Sequence, residues 1–217
     1  LATSGGTEAP ILAQALSEAG ATVFCVARRQ TNLDAVLEAL GNGLSHGVVA
    51  DLASPGGVGE SLRVFDEHHE KVDILVNDAR SMFAKPFHEI TVEEWEVLHS
   101  RNVRSTFLLC QQIGQRMKFQ QYGRVVNIVS ELAERAMING SAFSATQAAL
   151  LSLTRSLSLE WGRDNIRVNA VGTGWFTSED IPLEVQREEL LVRYTPLRRK
   201  GHPRDIGPLL VYLCSEA

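Results

Sequence analysis

With 217 residues, 44% of them hydrophobic, the chain has material for one substantial core. Its net charge of −5 argues against nucleic acid as a partner, because the densest basic run, Arg198-Arg199-Lys200, reads as a solvated helix end or loop. No apolar run reaches the ~20 residues of a membrane span, so a membrane partner is not expected either.

Strand-like and helix-like segments alternate along the chain. Leu1, Ala2 and Thr3 read as a strand-to-loop junction, so an N-terminal strand is expected to be missing from the numbered chain. A preceding targeting peptide stays open. Helix is expected over 11–19, stopped by Gly20, then a buried strand over 21–27 and a helix over 32–40. A short strand over 47–50 ends at Asp51, a helix covers 57–70, and 73–77 is another buried strand. Two long amphipathic helices follow over 91–100 and 103–120, then strand 124–129, helix 144–161 and strand 166–171. Helices over 183–194 and 204–214 close the chain. This alternation predicts an α/β fold: one domain over 1–217, with a doubly wound parallel sheet and helices on both faces.

Leu150, Leu153, Leu157 and Trp161 form one apolar stripe on the 144–161 helix, while Ala148, Leu151 and Leu159 lie off it. A helix apolar on more than one side needs two burying surfaces: the sheet and, by this reading, a second subunit. Cys25, Cys110 and Cys214 are scattered in apolar segments, which suits buried thiols in a reduced, cytoplasmic protein rather than a disulfide framework. The six histidines show no ligand spacing, and adjacent His68 and His69 point different ways on a helix, so no metal is expected. Trp95 and Trp161 read as core or interface. Trp175 and Phe176 follow Gly174 and are placed at the mouth of a former substrate site.

Ser130 ends the apolar run Val125-Val126-Asn127-Ile128-Val129, and Phe143-Ser144-Ala145-Thr146-Gln147 begins thirteen residues later. A strand-end serine, a loop, then two side chains four residues apart on one helix face resembles the active site of the short-chain dehydrogenase/reductase (SDR) family. Phe143 and Gln147 stand where that family has tyrosine and lysine. Other markers fall in the same order: Asp51 at the end of the third strand, Asn77-Asp78-Ala79-Arg80 for the family's Asn-Asn-Ala-Gly turn, Asn102 on the long fourth helix, and Asn169-Ala170-Val171-Gly172-Thr173-Gly174 followed by Thr177. Pro196-Leu197-Arg198, Gly201 and Pro203-Arg204-Asp205-Ile206 match its C-terminal pattern. The resemblance covers essentially the whole chain, with the family's final strand lying beyond Ala217.

The resemblance implies roles and also losses. Ser130 and Asn102 would bind the substrate carbonyl and a relay water; in the plainer reading one ends a strand and the other bridges backbone. Phe143 has no hydroxyl to exchange a proton, and Gln147 has no charge to stabilise a phenolate. Assistance of that kind is worth typically ~10²–10⁴-fold in rate. None of the four lysines lies near this helix in sequence, and Tyr122, Tyr194 and Tyr212 are the only other phenols. The family's phosphate loop is Gly-x-x-x-Gly-x-Gly, and a gapless match puts Thr3, Thr7 and Ala9 at its glycines, with Gly5 and Gly6 between them. Glu8 favours the helix dipole by ~0.3–1 kcal/mol but would repel a phosphate. Either the cofactor site is lost or the loop bends differently and binds weakly. Arg28 is either a relic of NADP(H) preference or a solvated arginine. Asp51, Asn77, Gly174 and Thr177 are the remaining candidates for a weak or vestigial cofactor site, and Asn77 has a structural role in its turn in either case.

Three readings of function follow. The leading one is a non-catalytic SDR-fold subunit without cofactor, assembling with itself or with an active SDR paralogue through helices 103–120 and 144–161. The second is a divergent NADP(H)-dependent oxidoreductase acting on an alcohol or ketone. The third is a nucleotide or ligand sensor on the same fold.

Overall fold

The computed structural model describes residues 2–4, 8–41, 45–78, 80–177 and 179–217, with residues 2–4 as backbone only. Its centre is a parallel sheet of strands β1 (Ala2–Ser4), β2 (Phe24–Ala27), β3 (His46–Val49), β4 (Ile74–Asn77), β5 (Gly123–Ser130) and β6 (Ile166–Thr173). The strand order is β3-β2-β1-β4-β5-β6. The expectation that the numbered chain lacks an N-terminal strand is thus corrected: Ala2 pairs with both Cys25 and Val76, so β1 sits in the middle of the sheet.

Helices cover both faces because side chains alternate along each buried strand. On one face, Phe24, Val26, Leu75, Val125 and Val168 meet α3 (Pro55–Asp66), α5 (Ser105–Gln120) and α6 (Ser141–Trp161). On the other, Cys25, Ala27, Val76, Val126 and Ile128 meet α1 (Ala9–Glu18), α2 (Gln30–Leu40) and α9 (Pro203–Cys214). The three cysteines are free and buried, and burial pushes the Cys25 and Cys110 thiols up to about 12.

Several boundaries differ from the expected ones for local reasons. Ser54 caps α3, its Oγ accepting from the Gly57 N–H at 3.0 Å, and Pro55 supplies a preset first turn. Helix α6 starts at Ser141 rather than residue 144, so Phe143 lies inside it. Helix α4 (Val92–His99), with a Thr91/Glu94 capping box, runs into α5 through a π turn over Ser100–Arg104 rather than breaking. The expected 183–194 helix is two pieces, α7 (Leu183–Glu188) and α8 (Leu190–Tyr194), because Glu189 is extended. Among the described residues, no helix is long and apolar enough to cross a membrane.

Candidate active site

The C-terminal end of β5 and the first turns of α6 form the centre of the site. Gln147 is fully buried, and its side-chain carbonyl accepts the Ser130 backbone N–H at 2.9 Å. Phe143, one turn earlier on α6, is fully buried too. The Ser130 hydroxyl accepts from the Leu132 N–H at 3.2 Å, starting a short 3-10 turn. Opposite them, the π turn aims Asn102 inward. Its Oδ1 accepts from the Ser81 N–H at 2.7 Å, and its Nδ2 donates to the Ser81 carbonyl at 3.1 Å and to Thr146 Oγ1 at 3.0 Å. Thr146 joins these parts: its hydroxyl donates to the Phe143 carbonyl at 2.7 Å and accepts from the Gln147 side-chain amide Nε2 at 3.3 Å. Nothing in the sequence pattern singled out Thr146, because its partners lie on the π turn and inside the helix.

Ser130, Asn102, Phe143 and Gln147 are therefore brought to one place, although no pair of them forms a proton donor with a cationic neighbour. The lysines are engaged elsewhere. Lys71 pairs with Asp73, Lys85 with Glu94, Lys118 with Asp164 and Lys200 with Glu189. Among the described residues, none of the phenols hydrogen-bonds to Ser130 or Asn102. Tyr122 precedes β5 at its opposite end and stacks on Arg124, with the cation 4.3 Å from the ring centre, while Tyr194 and Tyr212 are exposed.

The residues expected around a cofactor divide into three groups. Arg28 and Asp51 line one small pocket with Arg80 and Arg101, and the Asp51 carboxylate also accepts the Ala53 N–H at 3.1 Å. Asn77 is tied into the interior instead: its Nδ2 donates to Asn127 Oδ1 at 2.8 Å, and Asn127 Nδ2 donates to Thr154 Oγ1 at 2.8 Å. Gly174 is exposed, and a side chain there would meet only ordinary contact with Glu131. The Thr177 N–H donates to the Gly201 carbonyl at 3.0 Å and its hydroxyl accepts from the Glu179 N–H at 3.1 Å, so it shapes a turn. Gly5 and Gly6 lie outside the described residues.

Arg80 is the residue that sequence reasoning underrated. Its Nη1 donates to Thr173 Oγ1 at 2.7 Å, and its Nη2 lies 3.3 Å from Asp78 Oδ1 and 3.5 Å from Glu8 Oε1. Asp78 is deeply buried, and burial pushes its carboxyl up to about 7, with Arg80 pulling the other way. A helix start that receives a phosphate leaves its N–H groups bare. Here the Glu8 carboxylate stands at the helix start, makes no bond to the helix N–H groups and turns to the Arg80 guanidinium, and the adjoining pocket encloses about 60 Å³. Ligand clefts usually measure ~300–1,000 Å³. A carboxylate beside the start of α1 does not fit a phosphate group there. A cluster of three or more metal-ligating side chains is likewise absent among the described residues.

Known proteins place this arrangement in a family. Residues 9–217 match the family model described as Enoyl-(Acyl carrier protein) reductase. The 3-oxoacyl-[acyl-carrier-protein] reductase FabG of Aquifex aeolicus is 31% identical over 211 residues, covering 94% of this chain and 84% of that protein. Gluconate 5-dehydrogenase of Gluconobacter oxydans is 29% identical over 212 residues, covering 95% of this chain and 82% of that one. Among solved structures, a putative short-chain alcohol dehydrogenase from Sinorhizobium meliloti 1021 superposes with a TM-score of 0.88 at 28% identity, covering 99% of this chain and 88% of its own. These relatives are named as oxidoreductases, and with the parallel sheet and the order of the site residues they show that this chain belongs to the short-chain dehydrogenase/reductase family.

Proposed function

We propose that this chain is a non-catalytic member of its family, a subunit that assembles with itself or with an active SDR oxidoreductase. The observation that carries this reading is the Gln147 amide. Its carbonyl is committed to the Ser130 N–H, in a fully buried position. A lysine ammonium has three donors and no acceptor, so it could not make this bond. The replacement is thus built into the packing and does more than remove a charge. Phe143 is equally part of the core. What the chain's own residues do here is hold β5, α6 and the π turn in register. Ser130 and Asn102 retain polar groups, but Phe143 and Gln147 supply neither a phenol nor a cation on the α6 side.

Assembly is supported by the second apolar side of α6. Leu159 is 84% exposed, and Phe107 and Phe119 of α5 are also exposed. Purified free of any paralogue, the chain is expected to show no turnover of alcohol–ketone pairs with NADPH or NADH, and to form an oligomer or co-purify with an intact SDR. Reduction of a ketone at ordinary SDR rates would overturn the reading.

The runner-up is a divergent NADP(H)-dependent oxidoreductase, favoured by Arg28 and Asp51 sharing one pocket. It requires saturable NADPH binding and measurable hydride transfer by the unmodified chain.

A further inference from the structure

In an open α/β sheet, ligands enter outside the C-terminal ends of the strands, where the strand order reverses. Here that point lies between β1 and β4. Glu8, at the entrance to α1, and Arg80, just after β4, stand on its two sides, and their side chains meet at 3.5 Å. The same guanidinium reaches Asp78 at 3.3 Å and Thr173 Oγ1 at 2.7 Å, so one side chain spans from the start of α1 to the end of β6. Only 12% of Arg80 and 17% of Glu8 is exposed, so this is not a solvated surface pair.

The charges are arranged as a ligand's would be. The start of a helix attracts an anion, and arginine binds phosphate and carboxylate alike. Glu8 places a carboxylate beside that helix start without bonding its N–H groups, and Arg80 pairs with it. We infer that the Glu8–Arg80 pair is an internal latch, which closes the switch-point crevice against a dinucleotide by occupying it with the chain's own carboxylate and guanidinium. An incoming phosphate must break this pair, desolvate Glu8 and meet its repulsion. A small pocket bounded by Arg28, Asp51, Arg80 and Arg101 adjoins the pair. This inference deepens the non-catalytic reading, from which it takes only the absence of routine cofactor use.

Calorimetric titration of NADPH into the unmodified chain and into the double variant Glu8→Ala/Arg80→Gly tests it. Removing both charges together leaves neither member of the pair facing a lone charge, while Asp78 and Thr173 lose their guanidinium contact, so folding of the variant is checked first. The unmodified chain is expected to bind weakly or not at all, and the double variant to bind about tenfold tighter or more. A folded double variant that binds no better than the parent would reduce the pair to a structural tie and overturn the latch, as would tight binding by the parent. Should the double variant fail to fold, NMR of the Arg80 guanidinium in the unmodified chain decides. Resolved Nη protons, averaged in Glu8→Gln, support the latch; averaging like that of a free arginine in the parent sinks it. Ketone turnover by the parent would defeat the non-catalytic reading alone, provided that the double variant still binds NADPH more tightly.

Discussion

Gln147 decides what could be restored to this site. Replacing it with lysine removes the acceptor of the Ser130 N–H and buries an ammonium with no carboxylate among its hydrogen-bond partners. An unsatisfied buried donor plus a buried charge should cost roughly 2–4 kcal/mol. Gln147→Lys is therefore expected to lower the urea midpoint clearly, and Phe143→Tyr/Gln147→Lys to regain no NADPH oxidation. A double variant of near-parental stability with rapid turnover would contradict both expectations. Asp78 gives a second test. Its carboxyl is ionised above about 4 in the unfolded chain but keeps its proton to about 7 when folded. The folded state binds more protons across that window, so this group's contribution to stability falls as pH rises from 4 to 7. Asp78→Asn should accordingly gain stability relative to the parent as pH is raised from 5 to 8, read as the difference in urea midpoints. An unchanged difference would show that Asp78 ionises as freely folded as unfolded.

At the scale of elements, α5 and α6 are held by a close approach that only glycine permits. A Cβ on Gly114 would lie 2.5 Å from the Trp161 ring. Alanine gains up to about 1 kcal/mol in helix propensity but overpacks a rigid indole at about 1–3 kcal/mol. Gly114→Ala is expected to be a net loss of about 1–2 kcal/mol in chemical unfolding. The histidines form a further contact between elements: His46 of β3 stacks on His68 at 4.0 Å between ring centres, with His69 edge-on to His46 at 5.7 Å. Adjacent His68 and His69 follow the end of α3 rather than lying on the helix expected over 57–70, and a third imidazole from β3 meets both, a contact that leaves no local pattern.

At the scale of the molecule, the parallel sheet was legible because its strands are buried on both faces and so appear as short apolar runs between helical periods. The order of site residues was legible in part for the same reason, since Asp51, Asn77 and Ser130 close or follow strands, whereas Asn102, Phe143 and Gln147 lie on helical turns and were legible only through the family resemblance. Contacts between distant residues were not. The Arg80–Thr173 bond joins positions 93 residues apart, and Gln147 reaches Ser130 across 17. Neither leaves a local pattern. Exposed Leu159 belongs to this scale as well. Leu159→Glu should change fold stability by no more than about 0.5 kcal/mol, while shifting the sedimentation profile toward smaller species. A parent chain that sediments as a monomer in the absence and presence of SDR partners would remove the interface.

The π turn over Ser100–Arg104 has a consequence for how this gene can change. An α-helix rotates by about 100° per residue, so losing one residue from the turn would swing all of α5 around its axis. Leu109, Ile113 and Met117, now against the sheet, would face away from it, and Asn102 would leave Ser81. Codon substitutions in this turn should survive far more often than insertions or deletions of a single codon.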